Sequence, residues 1–97
     1  MKVWKFDVIA DEHFGNSYEC TIYVPKRTEF LHVRTKGDEL YVWGKFEEQN
    51  EHNTESRTLI VLPTGEPIPE EKHRYFYIGT VLDENGQIFH VFEQRDK

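Results

Sequence analysis

The side chains best suited to metal binding or redox chemistry are five histidines and one cysteine. They are His13, His32, His52, His73, His90 and Cys20. No two histidines stand two, three or four positions apart, and the cysteine has no second cysteine to pair with, so the usual spacings of zinc ligands and disulfides are absent. We therefore expect no metal site and no cofactor. Whether His32 and His90 share a pocket across a sheet stays open.

Nucleophilic catalysis would need Cys20 or a serine beside a histidine, and no such arrangement is evident. Cys20 lies on the same predicted strand face as Ile22 and Val24. A thiol in this position is typically buried and inert. Ser17 and Ser56 lie in polar loops. The adjacent carboxylate pairs lie in turns, where water makes pKa tuning difficult. We expect no catalytic residues and a protein that is not an enzyme.

Cationic and aromatic side chains are interleaved in one stretch of the chain. Arg34 and Lys36 precede Tyr41 and Trp43. Strand alternation places three residues of this stretch on one face: Phe30, His32 and Arg34. A base or a nucleotide could stack on such a surface with a cation beside it. These residues therefore form a candidate site for a small nucleotide ligand.

The net charge of −6 narrows the range of partners. A protein that binds duplex nucleic acid needs a basic face, and the chain as a whole is acidic, so this partner class is not expected. The acidic excess lies wholly in residues 46–97, where it could steer a basic partner. The start of the chain has no apolar signal segment, and no run is long enough to span a membrane. We expect a soluble cytoplasmic protein.

The elements that must position these residues are predicted to be strands. Apolar residues recur with a period of two, and no helical periodicity reaches eleven residues. Seven strands are predicted, at residues 2–9, 18–24, 29–35, 39–48, 57–62, 75–82 and 87–92. The first places Trp4, Phe6 and Val8 on one face, toward the core. The expected fold is one all-β domain over residues 1–97, a small antiparallel sandwich or partly open barrel.

Turns and loops punctuate this pattern. Lys36-Gly37-Asp38 and Asn85-Gly86 predict two hairpins, because glycine accepts the backbone conformation that tight turns require. Gly44, in the middle of a strand, predicts a bulge or a close approach of another segment. Residues 10–17 form a polar turn. Residues 47–56 carry no apolar side chain and predict a long polar loop, either mobile or at the tip of an extended hairpin.

Several strands carry apolar residues on both faces. In a small sheet with one solvated face, apolar and polar residues would instead alternate along each strand. Tyr41 and Trp43 alternate with buried positions, and Tyr75 and Tyr77 alternate with Phe76 and Ile78. We expect a second copy or a target to cover the leftover aromatic surface. The protein is therefore expected to form a homo-oligomer.

Both ends of the chain resemble a family of small, uncharacterised bacteriophage and prophage proteins. The resemblance rests on K-V-W-K-F at residues 2–6, Y-I-G-T-V at 77–81 and I-F-H-V-F-E at 88–93. Val24-Pro25-Lys26 and Thr64-Gly65-Glu66-Pro67-Ile68 stand at places where that family shows similar turns. In that family a glycine usually follows the lysine, where this chain has Arg27. The resemblance implies a phage origin and a β-rich domain, and carries over no site residues.

Three functional hypotheses follow. The leading one is a non-enzymatic binding protein that blocks a host process, such as an antiphage defence, by occupying a host protein. Its expected contacts are Tyr41, Trp43, Tyr75 and Tyr77. An alternative is a homo-oligomer that sequesters a small nucleotide signal, using Arg34 and Lys36 at a subunit interface. The least favoured alternative is a small hydrolase or nuclease.

Overall fold

The protein is an all-β sandwich, as predicted. The computed structural model describes residues 1–8, 12–14, 17–37, 39–68 and 73–96. Its strands are β1 Lys2–Val8, β2 Glu12–Phe14, β3 Ser17–Pro25, β4 Glu29–Lys36, β5 Glu39–Phe46, β6 Thr54–Pro63, β7 His73–Leu82 and β8 Ile88–Asp96. The one short strand, β2, lies within the stretch predicted as a turn at 10–17, the rest of which falls largely outside the described residues.

The strands form two antiparallel sheets. The first sheet has the order β1-β5-β4, and the second has the order β2-β3-β6-β8-β7. Both predicted hairpins are confirmed: β4 pairs with β5, and β7 pairs with β8. Asp38, which was predicted in the first of these turns, lies outside the described residues.

The core lies between the sheets and is aliphatic. Its buried members are Val8, Cys20, Ile22, Val24, Val33, Leu40, Val42, Leu59, Val61, Val81 and Val91. Cys20 is fully buried, as was predicted from its place on the same strand face as Ile22 and Val24. Residues 59–63 of β6 are buried on both faces, so part of the outward face of the second sheet is covered within the chain.

The polar segment at residues 47–56 is a crossover and not a hairpin tip. β5 belongs to the first sheet and β6 to the second, so the chain changes sheets here. A short 3-10 helix, Glu48–Asn50, begins the crossover, and β6 already starts at Thr54. The amide of Lys26 donates to the carbonyl of Asn53 over 2.8 Å. Residues 47–53 form the predicted polar connection, and residues 54–56 belong to β6 instead, because polar residues at an exposed strand end carry no apolar period that would reveal the strand.

One side of the sandwich is closed where β4 meets β7. A Cβ built on Gly79 would lie 2.7 Å from Cγ2 of Val33, so the two strands approach to a distance that excludes a side chain. Next to this contact, the hydroxyl of Thr35 donates to the carbonyl of Leu82. The close approach predicted at Gly44 is also present. A Cβ built on Gly44 would lie 2.5 Å from Cγ2 of Thr28 and 3.4 Å from the backbone carbonyl oxygen of Glu29.

The opposite side of the sandwich is open. The edge strand β1 of the first sheet borders β3 of the second sheet without forming a ladder in the described residues. A groove of about 360 Å³ runs between them, lined by Lys5, Phe6, Asp7, Thr21, Ile22 and Tyr23. The structure is thus a sandwich closed along β4–β7 and open along β1–β3.

The tight contact at Gly79 predicts a steric cost for any larger residue there. Gly79→Ala should lower the free energy of unfolding by roughly 1–3 kcal/mol, because the new methyl group overlaps Val33. Urea denaturation measures this change. In a Val33→Ala background the same substitution should cost clearly less, and equal costs in the two backgrounds would show that Val33 is not the cause.

Candidate interaction surface

The outward face of the first sheet gathers most of the predicted site residues. Tyr41 and Trp43 project from β5, the middle strand, and both are half-buried. Lys5 on β1 places its ammonium 4.6 Å from the centre of the Tyr41 ring. On the other side, the ring of His32 lies 5.8 Å from that of Trp43. Cations and rings therefore alternate across three strands of one face.

The predicted cations border the same face. Arg34 pairs with Tyr41 across the ladder, and Lys36 pairs with Glu39. Nε of Arg34 donates to Nε2 of His32 over 3.3 Å. The Tyr41 hydroxyl donates to Glu39. This bond, with smaller effects of burial and of the carboxylates of Glu39 and Asp7, raises the pKa of Tyr41.

Phe30 does not share this face, contrary to the prediction. The pairing of β4 with β5 shifts register between Phe30 and His32, which adds one residue to β4. A bulge of this kind turns the following side chains to the opposite face. Phe30 therefore packs against the core, while His32 and Arg34 face outward.

Tyr75 and Tyr77 lie on the second sheet, on the other side of the sandwich. The hydroxyl of Tyr75 donates to Gln94 over 3.3 Å. Tyr77 is 60% exposed, and its ring lies against Phe92. The four aromatic residues expected to contact one target therefore form two separate surfaces, with Tyr41 and Trp43 on the opposite face of the molecule.

His90 joins a chain of hydroxyl groups on this second surface. Its Nε2 lies 2.8 Å from the hydroxyl of Thr64, and its Nδ1 lies 3.1 Å from that of Thr80. The Thr80 hydroxyl also lies 2.5 Å from that of Tyr77. His32 projects from the other sheet, so the two histidines do not share a pocket.

β1 exposes two large apolar side chains, and the sequence did not single this strand out as a site. Val3 is 58% exposed on its outward face, and Trp4 is 57% exposed on the face that also carries Phe6 and Val8. Alternation predicted that Trp4 would face the core. It pairs with Gly44 on β5, and the side chain of Thr28 occupies the space beside that glycine.

The β1 edge is exposed but held in place. Seven residues of β1 pair with β5, and Val8 is buried in the core. The ammonium of Lys2 lies 2.5 Å from a carboxylate oxygen of Glu51 in the crossover. Across the groove, Tyr23 of β3 is 72% exposed. Tyr23 alternates with the core residues Ile22 and Val24, so it projects from the outward face of the second sheet and not toward β1. We define the β1 edge as Val3, Trp4 and Lys5.

A charged cluster closes one end of the core. Glu93 is only 4% exposed and accepts hydrogen bonds from two guanidinium groups. Arg57 binds both of its carboxylate oxygens, and Nη2 of Arg95 lies 3.0 Å from one of them. Each arginine stacks on a ring: Arg57 lies 4.9 Å from the centre of Phe30, and Arg95 lies 4.4 Å from that of Phe76. An open cavity of about 630 Å³ adjoins this cluster and is lined by polar residues.

The residues of this cavity include one with unusual backbone geometry. Arg27 has a φ of +64°, which is the left-handed region that favours glycine. It occupies the turn between β3 and β4. Its neighbours Arg57 and Arg95 are paired with carboxylates. The cavity therefore combines balanced charges with one strained arginine.

No metal centre or membrane helix is evident in the described parts of the chain. No cluster of three or more His, Cys, Asp or Glu side chains there is arranged to hold an ion. None of the helical segments in those parts has the length and apolar character needed to cross a bilayer.

Comparison with known families places the whole chain in one group. A family model described as a domain of unknown function, DUF7352, matches residues 1–97. The chain belongs to this family. No curated protein and no solved structure matches it.

This DUF7352 chain uses its motif residues in defined structural positions. The stretch at 2–6 is the exposed part of β1, and Gly79 makes the contact that closes the sandwich. Thr80 and His90 belong to the hydroxyl chain on the second sheet, and Glu93 is the buried carboxylate.

The charged cluster predicts a large effect of neutralising its carboxylate. Glu93→Gln leaves Arg57 and Arg95 without their shared anion and should lower the free energy of unfolding by about 3–5 kcal/mol. Glu55, which contacts Arg57 alone and is more exposed, is the control. Glu55→Gln should cost at most about 1 kcal/mol. Urea denaturation at neutral pH measures both, and equal costs would contradict this assignment.

The environment of Glu93 also predicts part of the loss of folding stability at low pH. Burial is the largest influence on the pKa of Glu93 and raises it, but the hydrogen bonds and charges of Arg57 and Arg95 together outweigh it, so the pKa lies below 4.5. The stabilisation is present above that value and is lost as the pH falls through the lowered pKa. The Glu93→Gln variant should therefore lose less stability than the wild type between about pH 5 and pH 3.

Proposed function

We propose that this protein is a non-enzymatic binding protein that docks on another protein through the β1 edge. The observation that supports it is the exposure of Val3 and Trp4 on opposite faces of an ordered edge strand. Long exposed apolar edges are rare in monomeric proteins because they invite pairing with other chains. An ordered edge strand with two exposed apolar side chains, left uncovered in the described structure, favours a role in recognition.

Strand addition is the binding mode that fits this geometry. β1 is paired with β5 on one side only in the described residues, so its outer backbone groups are available to an extended segment of a partner. A strand added there would contact Val3 on one face. On its other face it would contact Trp4. Main-chain bonds would provide affinity and these side chains specificity.

Local charge favours a basic partner segment. The crossover that carries Glu47, Glu48 and Glu51 lies beside the start of β1, because Lys2 binds Glu51. Glu47 and Glu48 are exposed. Acidic side chains at the border of a docking edge increase the rate at which a basic partner arrives.

The proposed target is a protein of a bacterial host. The resemblance of the chain ends to bacteriophage and prophage proteins supports this part of the proposal. A phage protein of this kind would act in the host cytoplasm, where occupation of one host protein would block a process such as an antiphage defence. Tyr41 and Trp43 would extend the contact, because Lys5 of β1 pairs with Trp43.

The test compares two matched variants as bait. Trp4→Glu places a charge on the β1 edge, and Tyr77→Glu places one at an equally exposed aromatic residue on the other sheet. The wild type and Tyr77→Glu should each capture one stoichiometric protein from bacterial lysate, and Trp4→Glu should bind it at least roughly 30-fold more weakly, as expected for a tryptophan hot spot.

Circular dichroism and a urea midpoint must show that both baits are folded. Capture that Trp4→Glu leaves unchanged would refute the role of the β1 edge. The same holds if a folded wild-type bait retains no protein at all.

A second candidate function is supported by the outward face of the first sheet. The rings of Trp43 and His32 lie beside Arg34, an arrangement that could stack a base and bind its phosphate. In this alternative the protein would sequester a small nucleotide signal. A thermal-shift screen against cyclic nucleotides and ADP-ribose should then raise the melting temperature, and Arg34→Ala should abolish the rise. No shift at saturating ligand would remove this candidate.

A further inference from the structure

We infer that, in the absence of a target, the β1 edge pairs with the β1 edge of a second copy of this chain. The inference rests on the proposed function, since it names a partner for the same docking edge. The two strands would run antiparallel, so that the two three-stranded sheets form one continuous sheet of six strands. Two observations carry this inference: the exposure of Val3 and Trp4 on the edge strand, and a register of self-pairing in which no like charges face each other.

Symmetry restricts the registers that such a pair can adopt. A two-fold axis perpendicular to the sheet makes the strands antiparallel and keeps the outward face of each copy on the same side. Residues directly opposite each other must then share a face, which permits only registers centred on a residue. The candidates within the exposed part of β1 are centred on Val3, Trp4 or Lys5.

Of the three registers, the one centred on Trp4 pairs most of the strand without placing like charges opposite each other. It places Trp4 opposite its own counterpart and Val3 opposite Lys5 of the second copy, so no like charges face each other. The register centred on Lys5 would oppose two ammonium groups, which destabilises a cross-strand pair. The register centred on Val3 would pair fewer residues of the strand. Aromatic pairs across strands are among the more stabilising ones.

The groove beside β1 accommodates the added strand. The strand from the second copy would extend the first sheet past its edge, over the opening lined by Phe6 and Tyr23. Its own Trp4 would then lie on the inner side of the extended sheet, which also carries Phe6. The pairing thereby covers the exposed indole of Trp4 in both copies.

The contact is small, which makes the association reversible. One pair of short strands buries less than the roughly 800 Å² per partner of a standard interface, so a dissociation constant in the micromolar range or weaker is expected. Each copy also carries a net charge of −6. Added salt screens this repulsion and should tighten the dimer. A target segment that binds the same edge more strongly would displace the second copy.

The first experiment measures mass against concentration with the purified chain. Sedimentation equilibrium from about 1 µM to 1 mM should show the mass rising from 11.7 kDa toward twice that value. Trp4→Glu should weaken the association at least tenfold, while Tyr77→Glu, the matched control on the other sheet, should leave it unchanged. A wild type that stays monomeric at 1 mM, or a dimer equally stable in both variants, would overturn the inference.

The second experiment tests the register and keeps Trp4 in place. Val3→Cys and Lys5→Cys chains are mixed and oxidised, with the native Cys20 buried and out of reach. The Trp4-centred register places position 3 opposite position 5, so the mixture should form disulfide-linked heterodimers faster than either variant alone. Faster linkage of Lys5→Cys to itself would overturn this register in favour of the Lys5-centred one.

The two proposals fail separately. Capture of a target that depends on Trp4, by a protein that is monomeric at every concentration, would refute the dimer and retain the docking edge. A reversible dimer that depends on Trp4, together with no capture by a folded bait, would retain the dimer and refute the docking role on a target.

Discussion

The approach of Val33 to Gly79 determines which side of this sandwich is closed. Where the two strands meet, one residue has no side chain, so β4 and β7 can come close enough to seal the core. On the other side no glycine contact of this kind occurs in the described residues, and a groove lies between β1 and β3. The exposure of Trp4 follows from this asymmetry, because a strand at an open side has interior neighbours on one edge only.

The charged cluster has a related role at one end of the molecule. The guanidinium groups of Arg57 and Arg95 lie on aromatic rings and bind a carboxylate that is almost fully buried. A small sandwich with a short aliphatic core has few apolar residues to close its ends. Stacked arginines cover the rings, and the shared carboxylate satisfies their charge. All three charged residues belong to the second sheet, and the contact of Arg57 with Phe30 links the cluster to β4 of the first sheet.

Local alternation was sufficient to predict the fold class, the two hairpins, the burial of Cys20 and the close approach at Gly44. These features depend on neighbours in sequence. The wrong predictions concern features set by distant parts of the chain. The bulge that separates Phe30 from His32 depends on pairing with β5, and the exposure of Trp4 depends on the place of β1 in the sheet. The sheet change at residues 47–56 leaves no apolar signal. Tyr41, Trp43, Arg34 and Lys36 were correctly grouped because a hairpin joins them, whereas Tyr75 and Tyr77 belong to the other sheet.

The position of β6 has a consequence for the motions of this protein. Over residues 59–61 it is both paired on its two edges and buried on its two faces, so its amide hydrogens there should exchange with solvent only when much of the sandwich opens. β1 is paired on one edge and can detach by breaking the contacts of a single strand. The most slowly exchanging part of the molecule and its most easily released strand are therefore in different sheets, and β1 could adjust to a bound chain while β6 keeps the fold intact.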